Sequence, residues 1–501
     1  MQEGKSLWVA ISKRDKTYPA LVKDIEVDVA IVGGGITAIT AACQLVEAGK
    51  RVAILEAGQI GGVTTSYSTG NLYVAVQPFY QSIKKKFNLE TARVVANSRQ
   101  KAMDYVERNV VDKNIDCHFT RRPWYGYTNG QERVSLEKEV ELLKRLDIAI
   151  DYTLEMPLAV PFKKAVMMPN QARFNPLQYV ISMASYLNEK GCMIYENTPV
   201  INFEEKEVCY LYTKNAKITA RKLILATHTP LGINHTHFYT APYRSYVVAV
   251  RLKNNSCPEG HFWDFGEKSH IFSAHAYTTN NPELLMLSGS HHKTGQGEDT
   301  EKHYEELESY LKAYLPIQEI VFKWSAQHYQ SADSIPYIGL ASNTAKHTYM
   351  ATGYFADGLT YGTLAGIDIA DLILDRAVPY NDVYQANRKK FGASLGFLAK
   401  ENINVAKQYS KDLPIFSETD FDSIKEGDGK IVEIDKEKFA ICRDNDELHM
   451  VSAVCPHMKC IVNWNKAEKT WDCPCHGSRF TKKGKVIEGP AMTDLTLKEP
   501  R

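Results

Sequence analysis

The chain has 501 residues, and 60 Lys and Arg stand against 59 Asp and Glu for a net charge of +1. At about 150 residues per domain, that length predicts about three domains and ample core. A hydrophobic share of 44% with 24% charged residues excludes a mostly disordered or fibrous chain, and the near-neutral balance gives no global electrostatic reason to bind nucleic acid or an anionic membrane. No uncharged apolar run reaches the ~20 residues of a spanning helix. The opening Met1-Gln2-Glu3-Gly4-Lys5 lacks an apolar signal core. The expectation is a cytoplasmic protein without a transmembrane segment. Of the ten cysteines, Cys43, Cys117, Cys192, Cys209 and Cys257 are scattered; the rest follow residue 440, and four of them fall within 455–475.

In chain order, residues 1–23 are polar with isolated apolar anchors (Leu7, Trp8, Tyr18), the pattern of an arm laid on a domain surface. The apolar run 28–32 ends in three glycines and predicts a buried parallel strand. Helical periodicity over 36–48 stops at Gly49, and 51–56 reads as the next strand, so a β-α-β unit opens a doubly wound fold. Pro176 and Gly191 bracket a helix over 176–190, followed by strand-like runs at 200–204 and 223–226. Aromatic and β-branched runs across 236–325, among them 246–252 and 284–287, predict an antiparallel sheet inserted into the nucleotide fold. The Gly-spaced apolar stretch 358–374 and the polar stretch 384–410 read as helices. Residues 411–418, with Pro414, form the expected linker. From 419 to 501, short strands punctuated by Gly427, Gly429, Asn445 and Gly484 predict a small all-β module.

Two motifs carry chemistry. Gly33-Gly34-Gly35-Ile36-Thr37-Ala38 fits G-x-G-x-x-G/A between a strand and a helix. Gly33 allows the tight turn, Gly35 lets the backbone approach a pyrophosphate, the helix N-terminus meets its charge, and Ala38 permits close helix–strand packing. Glu56, followed by Ala57, ends the second strand, about 20 residues on, where a carboxylate takes a ribose hydroxyl; it argues against a 2′-phosphate. Further on stand Gly61 to Gly70, rich in small and hydroxyl residues, Ala226-Thr227-His228-Thr229-Pro230, Asp333 to Gly339, and Gly353 to Gly362. Together these resemble the glycine/D-amino acid oxidase (DAO) superfamily of FAD enzymes over about residues 25–400. The resemblance implies FAD, with Thr64, Thr65, Ser66, Val200, Thr227, Gly353, Asp357, Gly358 and Leu359 joining Gly33 to Ala38, Glu56 and Ala57 around it. It also implies a 24–410 unit with FAD-binding parts at about 24–105, 170–235 and 325–400 and substrate parts at about 106–169 and 236–324. His228 at its strand end is a candidate base or a structural residue.

The second motif pairs Cys455-Pro456-His457-Met458-Lys459-Cys460 with Cys473-Pro474-Cys475-His476-Gly477-Ser478. A tetrahedral Cys₂His₂ zinc site is one reading. Against it, each limb holds one Cys and one His, and Cys460 and Cys475 remain at matched places. The pattern C-x-H-x-x-C … C-x-C-H-G-S resembles the Rieske [2Fe-2S] family. That resemblance implies that Cys455 and Cys473 ligate one iron, that His457 and His476 ligate the other, and that Cys460 and Cys475 form a loop-pinning disulfide. It implies too that Ser478 donates to a bridging sulfide and that Gly489-Pro490-Ala491 is a shielding proline loop. Phe480 stands where many high-potential members have Tyr, which predicts a lower potential.

The expected fold is thus α/β with an added all-β module: a Rossmann-like FAD-binding fold, an inserted antiparallel-sheet substrate domain and a Rieske domain. No catalytic residue can be named. Candidates around a substrate are Arg122, Trp124, Tyr125, Arg244, Tyr246, His292 and Lys293. Arg122 or Arg244 could hold a substrate carboxylate or serve in an ion pair. Ser288 to Gly295 reads as a polar turn at a strand end, and Trp324 and Tyr329 as core or interface. The expected function is FAD-dependent oxidation of a C–N bond in an amine or amino acid, with electrons passing through the cluster to an external acceptor. The alternatives are an electron-transfer protein that supplies a partner enzyme and a redox sensor without turnover.

Overall fold

The computed structural model describes residues 2–253, 256–278, 281–297, 299–388, 391–410, 421 and 423–497. The expected linker 411–418 lies outside them. In the first sheet, Ile25–Val32 pairs in parallel with Val52–Leu55 and with Lys217–Leu225, and Met193–Tyr195 and Thr348–Thr352 extend it in parallel on either side. Val52–Leu55 is buried at every position, as a strand covered on both faces requires. Helix Ile36–Glu47 follows the first strand and packs against Gly358–Ile373. The four-residue glycine spacing makes that crossing close. A Cβ at Gly366 would lie 2.6 Å from Thr40 Cβ, and one at Gly362 would lie 2.8 Å from Thr37 Oγ1.

The second sheet is largely antiparallel and runs in the order Ile317–Ser331, Thr240–Leu252, Asn281–Lys293, Ile271–Thr278, His261–Asp264, Thr120–Thr128 and Lys164–Arg173. Arg244 pairs with His292 and Tyr246 with Gly289, so Ser290 and His291 together oppose Ser245. This is a β-bulge, and Ser290 takes the left-handed φ of +50° that goes with it. The polar turn expected over 288–295 is therefore strand as far as Lys293. The helix expected over 384–410 is two, Asn381–Tyr384 and Phe391–Ser410. Before the second begins, Arg388 turns inward to pair with Asp333 at 2.6 and 2.7 Å and to donate to the carbonyls of Ile335 and Pro336.

The N-terminal arm contains helix Leu7–Ile11, capped by Ser6, and buries Leu7 and Trp8. Trp8 Nε1 donates to Ser68 O at 2.7 Å. The C-terminal module has a three-stranded sheet (Gly429–Ile434, Glu437–Asp444, Glu447–Ser452) and a four-stranded one (Asn463–Asn465, Thr470–Asp472, Arg479–Thr481, Val486–Glu488). Its core packs Trp471 and Phe480 against Cys455, Cys473 and Cys475. Among the described residues no helix is long and apolar enough to cross a membrane.

Candidate functional site

A cavity of about 720 Å³ opens where the two large sheets and the C-terminal module meet. Sites for small molecules occupy roughly 300–1,000 Å³. One end is made by the first β-α-β unit. Helix Ile36–Glu47 starts there with no side-chain cap and no acidic residue in its first turn, so its N-terminal N–H groups are available to an anion. Gly33 has φ +101°, and a Cβ on it would meet Ala226 O at 2.6 Å. A Cβ on Gly34 would meet Ile60 Cδ1 at 2.6 Å. The Glu56 carboxylate accepts from the N–H groups of Gly34 (2.7 Å) and Gly58 (2.8 Å), while burial pushes its pKa up. This end, built from backbone and one carboxylate, fits a dinucleotide.

Of the residues expected around FAD, all but Ala38, Ser66 and Gly353 line the cavity. Ala38 is buried in its helix, Ser66 Oγ turns back to Val63 O, and Gly353 packs on Ser331. Thr65 Oγ1 accepts from Ile36 N at 3.2 Å and Thr64 Oγ1 lies 3.2 Å from His228 Nδ1. Burial holds His228 down at about 4. Asp357 is paired, 3.4 Å away, with Arg99, a fully buried side chain that sequence patterns do not mark. Arg99 also donates to the carbonyls of Tyr73, Val74 and Ala75, so it fixes the segment that carries Tyr73 and Gln77 into the cavity wall.

The other end is closed by the second sheet, which contributes Ser245, Val247, Ile271, Ser288, His291 and His328. The seven substrate candidates lie elsewhere. Arg244 pairs with Glu468 of the module, Lys293 with Glu401, and Arg122 with Glu259 at 2.9 Å. Tyr125 stacks on Phe262, Trp124 packs on Trp263, and Tyr246 and His292 stack on each other in the core behind the sheet. The bulge explains the histidine. Strict alternation from Ser288 would bring in His292, and the extra residue at Ser290–His291 brings in His291 instead. Gly289 inside a strand was the available signal.

The third wall is the module itself: 485–489 and 491–494 line the same cavity. Gly489–Pro490 is a cis peptide, Pro490 O accepts from Gly232 N at 3.1 Å, and Ala491 N donates to Ser478 Oγ at 3.0 Å. Close by, Cys455 and Cys473 are in side-chain hydrogen-bond contact, the rings of His457 and His476 are 5.0 Å apart, and Cys460 and Cys475 are joined by a disulfide. The thiol group Cys460, Cys473 and Cys475 also clusters, but two of its members are spent in that disulfide. The hydrogen bond with Cys473 depresses the Cys455 thiol. Two thiols and two imidazoles brought together on disulfide-pinned loops are the donor set of a [2Fe-2S] centre with mixed ligation.

The docking of the module is tight. A Cβ on Gly477 would lie 2.6 Å from Pro242 Cβ, and one on Gly295 would lie 2.6 Å from Asp472 O. Tyr329 lines the cavity, and its hydroxyl reaches the carbonyls of His476 (3.2 Å) and Gly489 (3.4 Å). His457 Nε2 lies 3.0 Å from Gly232 O, and the His237 ring lies 4.9 Å from that of His457. Glu468 accepts from Arg244, Ser325 and Arg479.

Comparison with known proteins agrees with this arrangement. Residues 28–372 match the family described as FAD dependent oxidoreductase (DAO), and residues 415–499 match the Rieske [2Fe-2S] domain. YhfW of Bacillus subtilis (strain 168), named for a Rieske 2Fe-2S centre, is 35% identical over 96% of this chain and 94% of its own. Gamma-glutamylputrescine oxidoreductase of Escherichia coli (strain K12) is 22% identical over 74% of this chain and 88% of its own. The crystal structure of L-proline dehydrogenase from P. horikoshii shares the fold with a TM-score of 0.61, at 17% identity, over 75% of this chain and 99% of that one. The chain belongs to the DAO family of FAD-dependent oxidoreductases and carries a C-terminal Rieske [2Fe-2S] domain.

Proposed function

We propose that this oxidoreductase oxidises a C–N bond of an amine or amino acid and sends the electrons out through its own Rieske cluster to an external acceptor in the cytoplasm. Bound FAD supplies a two-electron hydride acceptor, and a Rieske centre supplies a one-electron carrier. The substrate carbon loses its hydrogen with the bonding electron pair, the nitrogen loses a proton, and a C=N bond forms. Gly33, Gly35 and the helix N-terminus hold the pyrophosphate in this reading, and Glu56 holds the ribose. Cys455 and Cys473 hold one iron, and His457 and His476 hold the other. The observation that carries the reading is the shared cavity: residues 485–489 and 491–494 of the module and the glycine motif line the same space, and Tyr329 touches both. A fixed neighbour replaces a diffusional encounter with a high effective concentration.

The test is anaerobic titration of the purified protein with a panel of amines and amino acids, followed by flavin absorbance and the EPR signal of the reduced cluster. Both signals are expected to change with the same substrate. Bleaching of the flavin without an EPR signal would refute the relay. A panel that leaves the flavin untouched would favour electron supply from another donor.

A further inference from the structure

The sheet end of the cavity states what charge its occupant carries, given the oxidation reading above. The bulge at Ser290 aims His291 at the cavity wall beside His328, with ring centroids 5.4 Å apart and perpendicular planes. The Nδ1 atoms of both rings are buried and lack a hydrogen-bond partner among the described residues. Buried polar groups in native proteins nearly always have partners, and those that lack one mark a place for a water or a ligand. Burial, with Arg133 and His303 behind it, lowers His291 to about 4; burial, with His291 and His228 nearby, puts His328 well below the ordinary histidine value. Both rings are therefore neutral partners that can donate or accept one hydrogen bond each.

The guanidinium groups of the lobe are committed elsewhere: Arg99 to Asp357, Arg122 to Glu259, Arg173 to Glu283 and Arg244 to Glu468. Among the described residues that line the cavity, the one Lys or Arg is Lys485, exposed on the module's rim. A carboxylate on the reacting carbon would be buried against two neutral imidazoles, two serine hydroxyls and the side chains of Val247 and Ile271. A buried charge without a counter-charge is strongly disfavoured. We propose that the sheet end of the cavity is a binding site for amines that bear no carboxylate on the carbon to be oxidised, held by the imidazoles of His291 and His328.

The test uses the holoprotein and matched probe pairs that differ by one carboxylate: methylamine and glycine, butylamine and norvaline, benzylamine and phenylglycine. Binding is read from the perturbation of the flavin absorption band. In each pair the amine is expected to bind roughly 100-fold more tightly. Equal or tighter binding of the acid, or no perturbation by any probe, would overturn the proposal. His328→Gln and His291→Asn should each weaken the amine about tenfold, the scale of one hydrogen bond to a buried group, with FAD content and cluster EPR as the check on folding. Unchanged amine affinity in both would remove the imidazoles from the site. Ser245→Arg places a guanidinium in the same wall and should shift the preference toward the acid. An amine that binds but never bleaches the flavin supports the site and refutes the oxidation reading; acid preference with bleaching does the reverse.

Discussion

The two ends of the cavity are built by opposite means. At the nucleotide end the working parts are backbone N–H groups, left open because glycines stand where side chains would collide with Ala226 and Ile60. At the sheet end the backbone is spent in the ladder and the working parts are side chains, aimed by strand register and by one bulge. A backbone site tolerates few residues but asks little of the rest of the protein. A side-chain site accepts many residues, and its geometry depends on everything that fixes the register.

The sharpest way to break the backbone end is Gly33→Val. The left-handed φ costs about 1–3 kcal/mol for a β-branched residue, and the contact 2.6 Å from Ala226 O adds a similar overpacking cost. The expected product is a protein without flavin absorbance that still shows the cluster EPR signal, since the module folds around its own core. Loss of both signals would mean that the two units fold as one.

Arg99→Met probes how the sheet end is held from behind. It leaves Asp357 buried and unpaired and frees the 73–77 segment, a loss of about 3–5 kcal/mol for breaking a buried pair. Thermal melting should show a destabilisation of that order, with FAD retention falling in parallel. The double variant Arg99→Met with Asp357→Asn should recover part of it, because no lone charge remains.

How far each end was legible follows from the same difference. Gly33, Gly35 and Glu56 sit in one short stretch whose meaning is local, as do Cys455, His457, Cys473 and His476, so spacing alone marked them. Arg99 and Asp357 meet only in the folded chain, and neither stands in a pattern that foretells the other. The sheet end failed to read from sequence for a related reason. Arg244 and Lys293 resembled substrate ligands because their partners, Glu468 and Glu401, lie far along the chain. His292 was favoured over His291 because a single bulge residue reverses the parity of everything beyond it. Large features, such as the parallel sheet, the inserted antiparallel sheet and the small all-β module, rest on long periodic stretches and were legible throughout.

Glu468 tests the seam between lobe and module. Burial raises its pKa, but Arg244 and Arg479 pull it below the ordinary glutamate value. Its contribution to stability is therefore present above the unfolded-state value near 4.3 and is lost as pH falls through the depressed folded value. Docking should hold at neutral pH and weaken in acid. Glu468→Gln should melt lower at pH 7 by about 2–4 kcal/mol, because Arg244 stays buried, and its melting curve should depend less on pH between about 5 and 3. Identical pH profiles would assign the acid sensitivity to other carboxylates.

The smallest expected effect, Phe480→Tyr, sharpens the comparison inside the module, where function again depends on a side chain aimed by a strand. Phe480 is fully buried, pairs across the ladder with Trp471, and packs with Cys455, Cys473 and Cys475. A phenol at this position adds a hydrogen-bond donor beside the sulfurs without changing the ring that fills the core. Donors to sulfur favour the more negative, reduced cluster, so the midpoint potential should rise. Ser478 supplies a control. Its Oγ accepts from Ala491 N, which orients the hydroxyl and leaves its hydrogen free to donate, so Ser478→Ala should lower the potential and Phe480→Tyr should raise it. Because the two donors act on one cluster through separate bonds, the double variant should fall between the singles. A Phe480→Tyr protein with the wild-type potential, measured by redox titration with EPR detection, would mean that the hydroxyl does not reach a cluster sulfur.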